Sequence, residues 1–255
     1  MTKPLKGKAA LVTGGGRSIG RETALGLAGK GADVIITYKE NAQAARATVR
    51  DLEALGVRAA AFQVNLTGTQ EIDGLVGHVH DQLSAWGRSE LDILVNNAGV
   101  LRLATFDKVT EDDVDYNFLT NYKSVFFLTQ KLMPLLADGG RVVNLGSATA
   151  RIAFGPLVSY GPFKAALQSL TLYLASFLGK RGITVNAVAP GGLDDDFNAP
   201  LFHMMPPARD YIASNTALGR MGLPKDVSGV ITFLCLPEAG FISGAVINID
   251  GGHHL

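Results

Sequence analysis

The sequence predicts a doubly wound α/β fold, in which a parallel sheet is covered by helices on both faces. Seven short apolar runs alternate with longer helical patterns from one end of the 255 residues to the other. Within the runs, apolar and polar residues barely alternate, as expected for strands buried on both faces. The composition, 47% hydrophobic and 18% charged, indicates a full core and excludes a disordered chain.

Each apolar run has the length of one strand, and five helical patterns lie between the runs. The predicted strands are Ala9–Val12, Val34–Ile36, Ala60–Val64, Leu91–Val95, Arg141–Leu145, Ile183–Val188 and Ala245–Ile249. The predicted helices are Gly20–Lys30, Ala42–Leu55, Thr69–Ala85, Asp112–Met133 and Tyr160–Leu178. With no linker or repeat between them, we expect a single domain, residues 1–255, with a Rossmann-type sheet.

Residues 191–211 form a long connection between predicted elements. They are rich in Asp, Pro and Met. A connection of this length in a compact domain is usually functional. We therefore predict a mobile lid over a binding site at about residues 191–211.

Charge and hydropathy restrict the classes of partner. Lys plus Arg equals Asp plus Glu, at 23 each, and no basic run is present, so nucleic acid is not an expected partner. No apolar segment is long enough for a signal peptide or a membrane span, so we expect a cytoplasmic protein without a membrane partner. His253 and His254 lack further ligands and predict no metal site. We expect them to form a surface tail.

A glycine-rich segment follows the first predicted strand directly. It reads Thr13-Gly14-Gly15-Gly16-Arg17-Ser18-Ile19-Gly20 and opens the first helix. The unpaired N–H groups and the dipole of a helix start bind phosphate, and glycine lets the backbone come close. The alternative is an ordinary tight turn. Placement between the first strand and a helix favours dinucleotide binding.

Two further motifs can carry chemistry. Asn96-Asn97-Ala98-Gly99 follows the fourth strand, at the same sheet edge as the glycine segment, although it could also be an ordinary turn. Tyr160 and Lys164 are four residues apart, which places phenol and ammonium on one helix face. A nearby ammonium lowers the pKa of a phenol, so that it can exchange a proton with a substrate oxygen. Taken alone, such a pair is more often a lysine stem packed on a ring.

The order of these motifs resembles the short-chain dehydrogenase/reductase family over nearly the entire chain, in particular NADP(H)-dependent carbonyl reductases and 3-oxoacyl-carrier-protein reductases. Ser147 precedes Tyr160 by the interval of the family pattern, and Asn121 lies on the preceding helix. The other matching segments are Asn186–Gly191, Arg220–Pro224 with Asp226, and Ile249–Gly252.

The resemblance implies that Asn121, Ser147, Tyr160 and Lys164 are catalytic. Tyr160 would donate the proton in carbonyl reduction, and Ser147 would hydrogen-bond the substrate oxygen. Lys164 would bond the nicotinamide ribose and lower the pKa of Tyr160, and Asn121 would hold a water that relays protons. The alternatives are a turn cap for Ser147 and a surface position for Asn121.

The second strand bears on the choice of cofactor. NAD enzymes usually carry a carboxylate at its end, where this chain reads Thr37-Tyr38-Lys39. Because Arg17 and Lys39 can face a 2′-phosphate, NADP(H) is expected, and NAD(H) stays an alternative because Glu40 follows. The implied cofactor-binding residues are Gly14, Arg17, Ser18, Ile19, Gly20, Tyr38, Lys39, Asn65, Leu66, Asn97, Ala98, Gly99, Tyr160, Lys164, Pro190, Gly191 and Leu193.

The sequence departs from the family pattern at two places. Ser18 stands where the phosphate loop commonly has glycine. The segment Asp194–Asp196 lies where a threonine usually bonds the nicotinamide carboxamide. An aspartate could accept the same N–H group, and the three acids could repel anionic substrates. A solvated lid or a helix cap is the simpler explanation.

The expected function is hydride transfer between NADP(H) and a ketone or secondary alcohol. The expected substrate contacts, suited to apolar or aromatic ketones, are Ser147, Phe154, Tyr160, Leu193, Phe197 and Phe202. The alternatives are a 3-oxoacyl thioester reductase and a non-catalytic dinucleotide sensor. Because the fifth predicted helix is apolar almost all round, we expect a homo-oligomer, with a homotetramer packed through the fourth and fifth helices.

Overall fold

Seven strands form one parallel sheet in the computed structural model, which describes residues 3–254 apart from the side chain of residue 69. The strands are β1 (Ala9–Val12), β2 (Asp33–Tyr38), β3 (Ala59–Gln63), β4 (Leu91–Asn96), β5 (Leu136–Leu145), β6 (Thr184–Pro190) and β7 (Val246–Ile249). Their order in the sheet is β3-β2-β1-β4-β5-β6-β7, and every neighbouring pair is parallel. The predicted fold and the seven strands are therefore confirmed.

Nine α-helices connect and flank the strands within the described residues. They are α1 (Ser18–Gly29), α2 (Ala42–Ala54), α3 (Thr69–Ala85), α4 (Glu111–Phe118), α5 (Ser124–Leu132), α6 (Gly161–Leu178), α7 (Ala199–Met204), α8 (Ala208–Ser214) and α9 (Pro224–Leu234). Helix α9 is not among the predicted helices, although Asp226 caps its start by accepting a hydrogen bond from Leu223 N at 2.8 Å. The segment predicted as a lid holds α7 and the start of α8. None of the helices in residues 3–254 has the length and apolarity needed to cross a membrane.

The core lies on both faces of the sheet. Alternate residues of β1 point to opposite faces, with Ala10 and Val12 in one cluster and Ala9 and Leu11 in the other. The first cluster includes side chains of α1, α2 and α9, and the second includes side chains of α3, α5 and α6. Burial on both faces explains why the strand sequences do not alternate between apolar and polar residues.

The helix predicted over Asp112–Met133 is interrupted, which corrects that prediction. Between α4 and α5, residues Leu119–Lys123 form a wide π-turn, in which Ser124 N donates to Leu119 O. Such turns are rare and are often found at functional sites. Asn121 lies in this turn and is fully buried, so it is not a surface position on a helix.

The N-terminus of α4 has a complete capping box. Thr110 Oγ1 accepts a hydrogen bond from Asp113 N at 3.2 Å, and Asp113 Oδ2 accepts one from Thr110 N at 3.2 Å. We expect Thr110→Ala to lower the free energy of unfolding by about 1 kcal/mol, measured by urea denaturation. Thr105→Ala is the control, since the Thr105 side chain bonds to no described residue. Equal stability of the two variants would contradict the role of the cap.

The order of the strands in the sheet determines where a ligand site is expected. The strands β2 and β3 lie on one side of β1, whereas β4 lies on its other side. The direction of winding therefore reverses between β1 and β4, and ligands of open α/β sheets bind beyond the carboxyl ends of the strands at such a point.

Candidate active site

A long cleft follows the carboxyl edge of the sheet, with a volume of about 820 Å³. Its walls come from the loops after β1, β2, β4, β5 and β6 and from residues 191–201. The volume lies within the range of small-molecule and cofactor sites.

The cleft brings together most of the site residues expected from the sequence. They are Gly14, Arg17, Ser18, Ile19, Gly20, Tyr38, Lys39, Asn65, Leu66, Asn97, Ala98, Gly99, Ser147, Phe154, Tyr160, Lys164, Pro190, Gly191, Leu193 and Phe197. Asn121 lies just beneath the wall, where a Cβ on Gly99 would be 2.9 Å from its Oδ1 atom.

Phe202, which is expected to contact the substrate, does not line the cleft. The helix α7 turns Leu201 inward, where it is buried and lines the cleft, and so turns the next side chain outward. The Phe202 ring instead lies 4.9 Å from the guanidinium carbon of Arg209. This direction depends on the short helix, which the sequence analysis did not predict.

The glycine segment is held close to the end of β4. Asn97 Nδ2 donates to the carbonyl oxygens of Thr13 at 2.8 Å and Gly14 at 3.2 Å. Gly14 has a φ of +66°, which favours glycine, and a Cβ on Gly20 would collide with the Gly14 carbonyl. Small residues here leave a backbone cradle at the start of α1, where N–H groups without intrahelical partners face the cleft.

Ser18 also adopts a left-handed conformation, with a φ of +48°. This explains why glycine is common at this position of the family pattern, since a side chain there costs about 1–2 kcal/mol. The Ser18 hydroxyl donates a hydrogen bond to Asp195 Oδ2. Asp195 therefore connects the segment after β6 with the glycine loop.

The other aspartates of this segment have ordinary partners. Asp195 Oδ1 also accepts hydrogen bonds from Asn198 N at 3.1 Å and Asn198 Nδ2 at 2.9 Å, so it does stabilise a turn. Asp194 forms an ion pair with Arg209 at 2.7 Å, and both side chains are largely exposed. Asp196 lines the cleft.

Cationic side chains gather at the β2 end of the cleft. Lys39 Nζ donates to the Tyr116 hydroxyl at 3.1 Å and lies 3.4 Å from Glu40. Both contacts raise the pKa of Lys39, Tyr116 more strongly, so the ammonium stays charged. The exposed guanidinium of Arg17 has no hydrogen bond or ion pair with a described residue. The sequence pattern gives no sign of Tyr116 at this site, because its helix lies far from the end of β2 in sequence.

Ser147 lies two residues after the end of β5. Its hydroxyl can both cap a turn and donate a hydrogen bond to a ligand. Its Oγ atom accepts hydrogen bonds from Thr149 N at 3.2 Å and Thr149 Oγ1 at 2.8 Å, so it does cap a turn. These contacts leave the Ser147 hydroxyl hydrogen available for another acceptor.

Tyr160 is buried beside Ser147 at the start of α6. Burial raises the pKa of Tyr160 above its usual value, Ser147 acts in the opposite direction by hydrogen bonding, and the Asp195 charge adds to the rise. Lys164 is not among the groups that shift this pKa, so the expected lowering by the lysine stays a prediction. The phenol keeps its proton at neutral pH and is poised as a proton donor.

Lys164 lies one helical turn after Tyr160. Its Nζ atom donates to the Leu145 carbonyl at 2.7 Å and lies 5.5 Å from the centre of the Tyr160 ring. Burial lowers the pKa of Lys164 to about 7. A lysine in this state can change its protonation near neutral pH.

Asn121 is bonded to the loop after β4. Its Nδ2 atom donates to Val100 O at 3.1 Å and to Asn117 Oδ1 at 3.3 Å, and its Oδ1 atom accepts from Val100 N at 3.2 Å. Both amide hydrogens are therefore used within the fold, and only oxygen atoms of this residue can hold a further partner.

The far end of the cleft is aromatic. The Phe197 ring lies 6.3 Å from the Tyr160 ring, and the Phe154 ring lies 6.3 Å from the Tyr211 ring. His253 also lines this end and is buried, which corrects the expectation of a surface tail. Its neighbour His254 is exposed. Among residues 3–254, no group of three or more His, Cys, Asp or Glu side chains could hold a metal ion.

Comparisons with known proteins agree with this architecture. A family model described as "Enoyl-(Acyl carrier protein) reductase" matches residues 14–254. A hydroxynaphthalene reductase-like protein of Metarhizium brunneum is 35% identical over 261 residues, which cover 98% of this chain and 96% of the relative.

Solved structures of reductases are also similar to this chain over nearly its full length. The promiscuous reductase LugOII, which catalyses keto-reduction in lugdunomycin biosynthesis, is 38% identical, with a TM-score of 0.92 over 99% of this chain and 100% of that chain. The angucycline C-6 ketoreductase LanV with bound NADP is 36% identical, with a TM-score of 0.94 over 100% of this chain and 98% of that chain. With the fold, the cleft and nearly full-length relatives in agreement, the chain belongs to the short-chain dehydrogenase/reductase family.

Proposed function

We propose that this protein is an NADP(H)-dependent carbonyl reductase that interconverts a ketone and a secondary alcohol. The observation that carries the proposal is the placement of Ser147, Tyr160 and Lys164 in the same cleft as the cationic side chains of Arg17 and Lys39. A protein that only senses a dinucleotide needs no buried phenol beside a lysine.

The described residues fit a dinucleotide. The backbone cradle at Gly14 and Gly20 suits a diphosphate at the start of α1. Arg17 and Lys39 suit a 2′-phosphate, and the related LanV structure has NADP bound. The carboxylate of Glu40 is paired with Lys39, which weakens the case for NAD(H). When bound, the reduced cofactor supplies the hydride.

The side chains of the protein orient the substrate and supply the proton that its oxygen receives. Ser147 donates a hydrogen bond to the substrate oxygen, where negative charge develops. Tyr160 transfers its phenolic proton to that oxygen as the carbonyl carbon becomes a secondary alcohol carbon. Lys164 returns a proton toward Tyr160, and Asn121 holds the relaying water through an oxygen atom, because its amide hydrogens are engaged.

The aromatic far end favours bicyclic or larger aromatic ketones. Phe154, Leu193 and Phe197 line the cleft, and the Phe197 ring lies 6.3 Å from the Tyr160 ring. The hydroxynaphthalene reductase-like and angucycline ketoreductase relatives support this substrate class. Residues 191–211 act as the lid in this proposal.

A homotetramer is part of the proposal. Three apolar side chains of α6 are largely exposed in the single chain, Leu172 by 55%, Tyr173 by 74% and Phe177 by 69%. Burial of such a patch between subunits would stabilise an assembly. The cytoplasmic location expected from the sequence stays a prediction.

The proposal is tested by initial rates of NADPH and NADH oxidation with four ketones. The panel contains 2-tetralone, a hydroxylated tetralone, an aliphatic ketone and an acetoacetyl thioester. We expect NADPH to be preferred and the two bicyclic ketones to react fastest. Preference for the thioester would indicate the 3-oxoacyl reductase, and tight NADPH binding without turnover of any ketone would indicate the sensor.

A further inference from the structure

The C-terminal segment folds back onto the far end of the cleft. Thr216 and His253 form an antiparallel bridge, Leu218 N donates to Gly251 O at 3.1 Å, and His254 N donates to Asn215 O at 3.1 Å. These contacts bury His253, which is 6% exposed, and place it on the cleft wall. A histidine in this position is available to a ligand.

The hydrogen bonds of Thr216 fix which ring nitrogen of His253 carries the proton. Thr216 Oγ1 donates its only hydrogen to Ile212 O at 2.7 Å. The same oxygen lies 3.3 Å from His253 Nδ1 and must accept in this contact, so Nδ1 carries the hydrogen. In the neutral ring Nε2 is then a hydrogen-bond acceptor, and no residue in the described part of the chain donates a hydrogen bond to it.

The surroundings of His253 favour the neutral ring. Burial, the neighbouring His254 and Arg151 lower the pKa of His253, whereas Asp250 and the Ile212 carbonyl raise it. Together these effects lower the pKa of His253 below its usual value. Arg151 is itself paired with Asp250 at 2.6 Å, so these two charges largely offset each other.

We propose that His253 is a specificity-determining residue whose Nε2 atom accepts a hydrogen bond from a hydroxyl group of the substrate. Phe154 and Phe197 line the same cleft as His253. The Phe154 ring packs against Tyr211, whose ring in turn lies 6.2 Å from the His254 ring. The imidazole adds a directed polar group to these apolar walls. Resting on the proposed carbonyl reduction, this inference narrows the substrate class to aromatic ketones that carry a hydroxyl group away from the carbonyl.

The test compares 2-tetralone with a series of its monohydroxylated derivatives. For each variant, the measured quantity is the ratio of kcat/KM for the best hydroxylated ketone to kcat/KM for 2-tetralone. His253→Phe keeps a ring but removes the acceptor, and we expect it to lower this ratio about tenfold. His253→Gln restores an acceptor near the Nε2 position and should recover most of the ratio. His80→Phe, at an exposed histidine outside the cleft, is the matched control and should leave the ratio as in the unmodified enzyme.

A second measurement needs no turnover. For each variant, calorimetry in the presence of NADP⁺ gives the Kd of the hydroxylated ketone and the Kd of 2-tetralone, and the ratio of the two affinities is compared between variants. If the enzyme binds the ketones with this His253 dependence but reduces none, the inference holds and the proposed reduction is wrong. If His253→Phe is folded and binds NADPH yet has the ratio of the unmodified enzyme, the inference is overturned. It is also overturned if the unmodified enzyme has no preference for any hydroxylated ketone.

Discussion

Replacing Tyr160 with phenylalanine is expected to lower kcat for ketone reduction by about 10²- to 10⁴-fold. The substitution removes only the hydroxyl group, so the buried ring still packs at the start of α6. Without the phenol, no described side chain beside Ser147 can give a proton to the substrate oxygen: Lys164 Nζ is directed at the Leu145 carbonyl. The measurement is single-turnover oxidation of bound NADPH, with the cofactor Kd determined by fluorescence.

The control for this change is Tyr173→Phe. Tyr173 lies on the same helix but is 74% exposed and does not line the cleft. Its hydroxyl should contribute nothing to the reaction. If Tyr160→Phe retained more than a tenth of the activity with an unchanged Kd for NADPH, the phenol would not be the proton donor.

Replacing Lys39 with alanine is expected to weaken the preference for NADPH by about 10- to 100-fold. The ammonium is held charged by Tyr116 and Glu40 at the end of β2, where it can form a charge-assisted hydrogen bond to a 2′-phosphate. NADH lacks this phosphate, so its kcat/KM should change little. The measured quantity is the ratio of kcat/KM for NADPH to that for NADH.

Lys108→Ala serves as the control for the loss of one positive charge, since Lys108 is exposed and outside the cleft. It should leave the cofactor ratio unchanged. An equal loss for NADPH and NADH in Lys39→Ala would show that Lys39 binds a part common to both cofactors. Comparison of the two variants at low and high salt separates a local contact from a general effect of charge.

The sequence predicted those features that depend on local pattern. The strands were found because parallel strands such as Ala9–Val12 are apolar on both faces, and α6 was found because its pattern is long and Pro162 fits its first turn. The π-turn at Asn121 was missed because a change in hydrogen bonding inside a helix leaves no change in hydrophobic periodicity.

The differences between the expected and the observed site have another origin, which is mainly contacts between residues that are distant in sequence. Phe202 lies outside the cleft because its direction is set by a helix of six residues. His253 was misplaced because its position depends on pairing with Thr216, which is 37 residues away in sequence. The rise in the pKa of Tyr160 follows from burial by the assembled fold, whereas the sequence revealed only the neighbouring lysine.

The contact between Ser18 and Asp195 joins two parts of the cleft that are 177 residues apart in sequence. A diphosphate lying on the first turn of α1 would meet the Asp195 carboxylate at the same serine hydroxyl, and two anionic groups repel each other there. The position of the segment after β6, which lines the cleft, would therefore be coupled to the presence of the nucleotide.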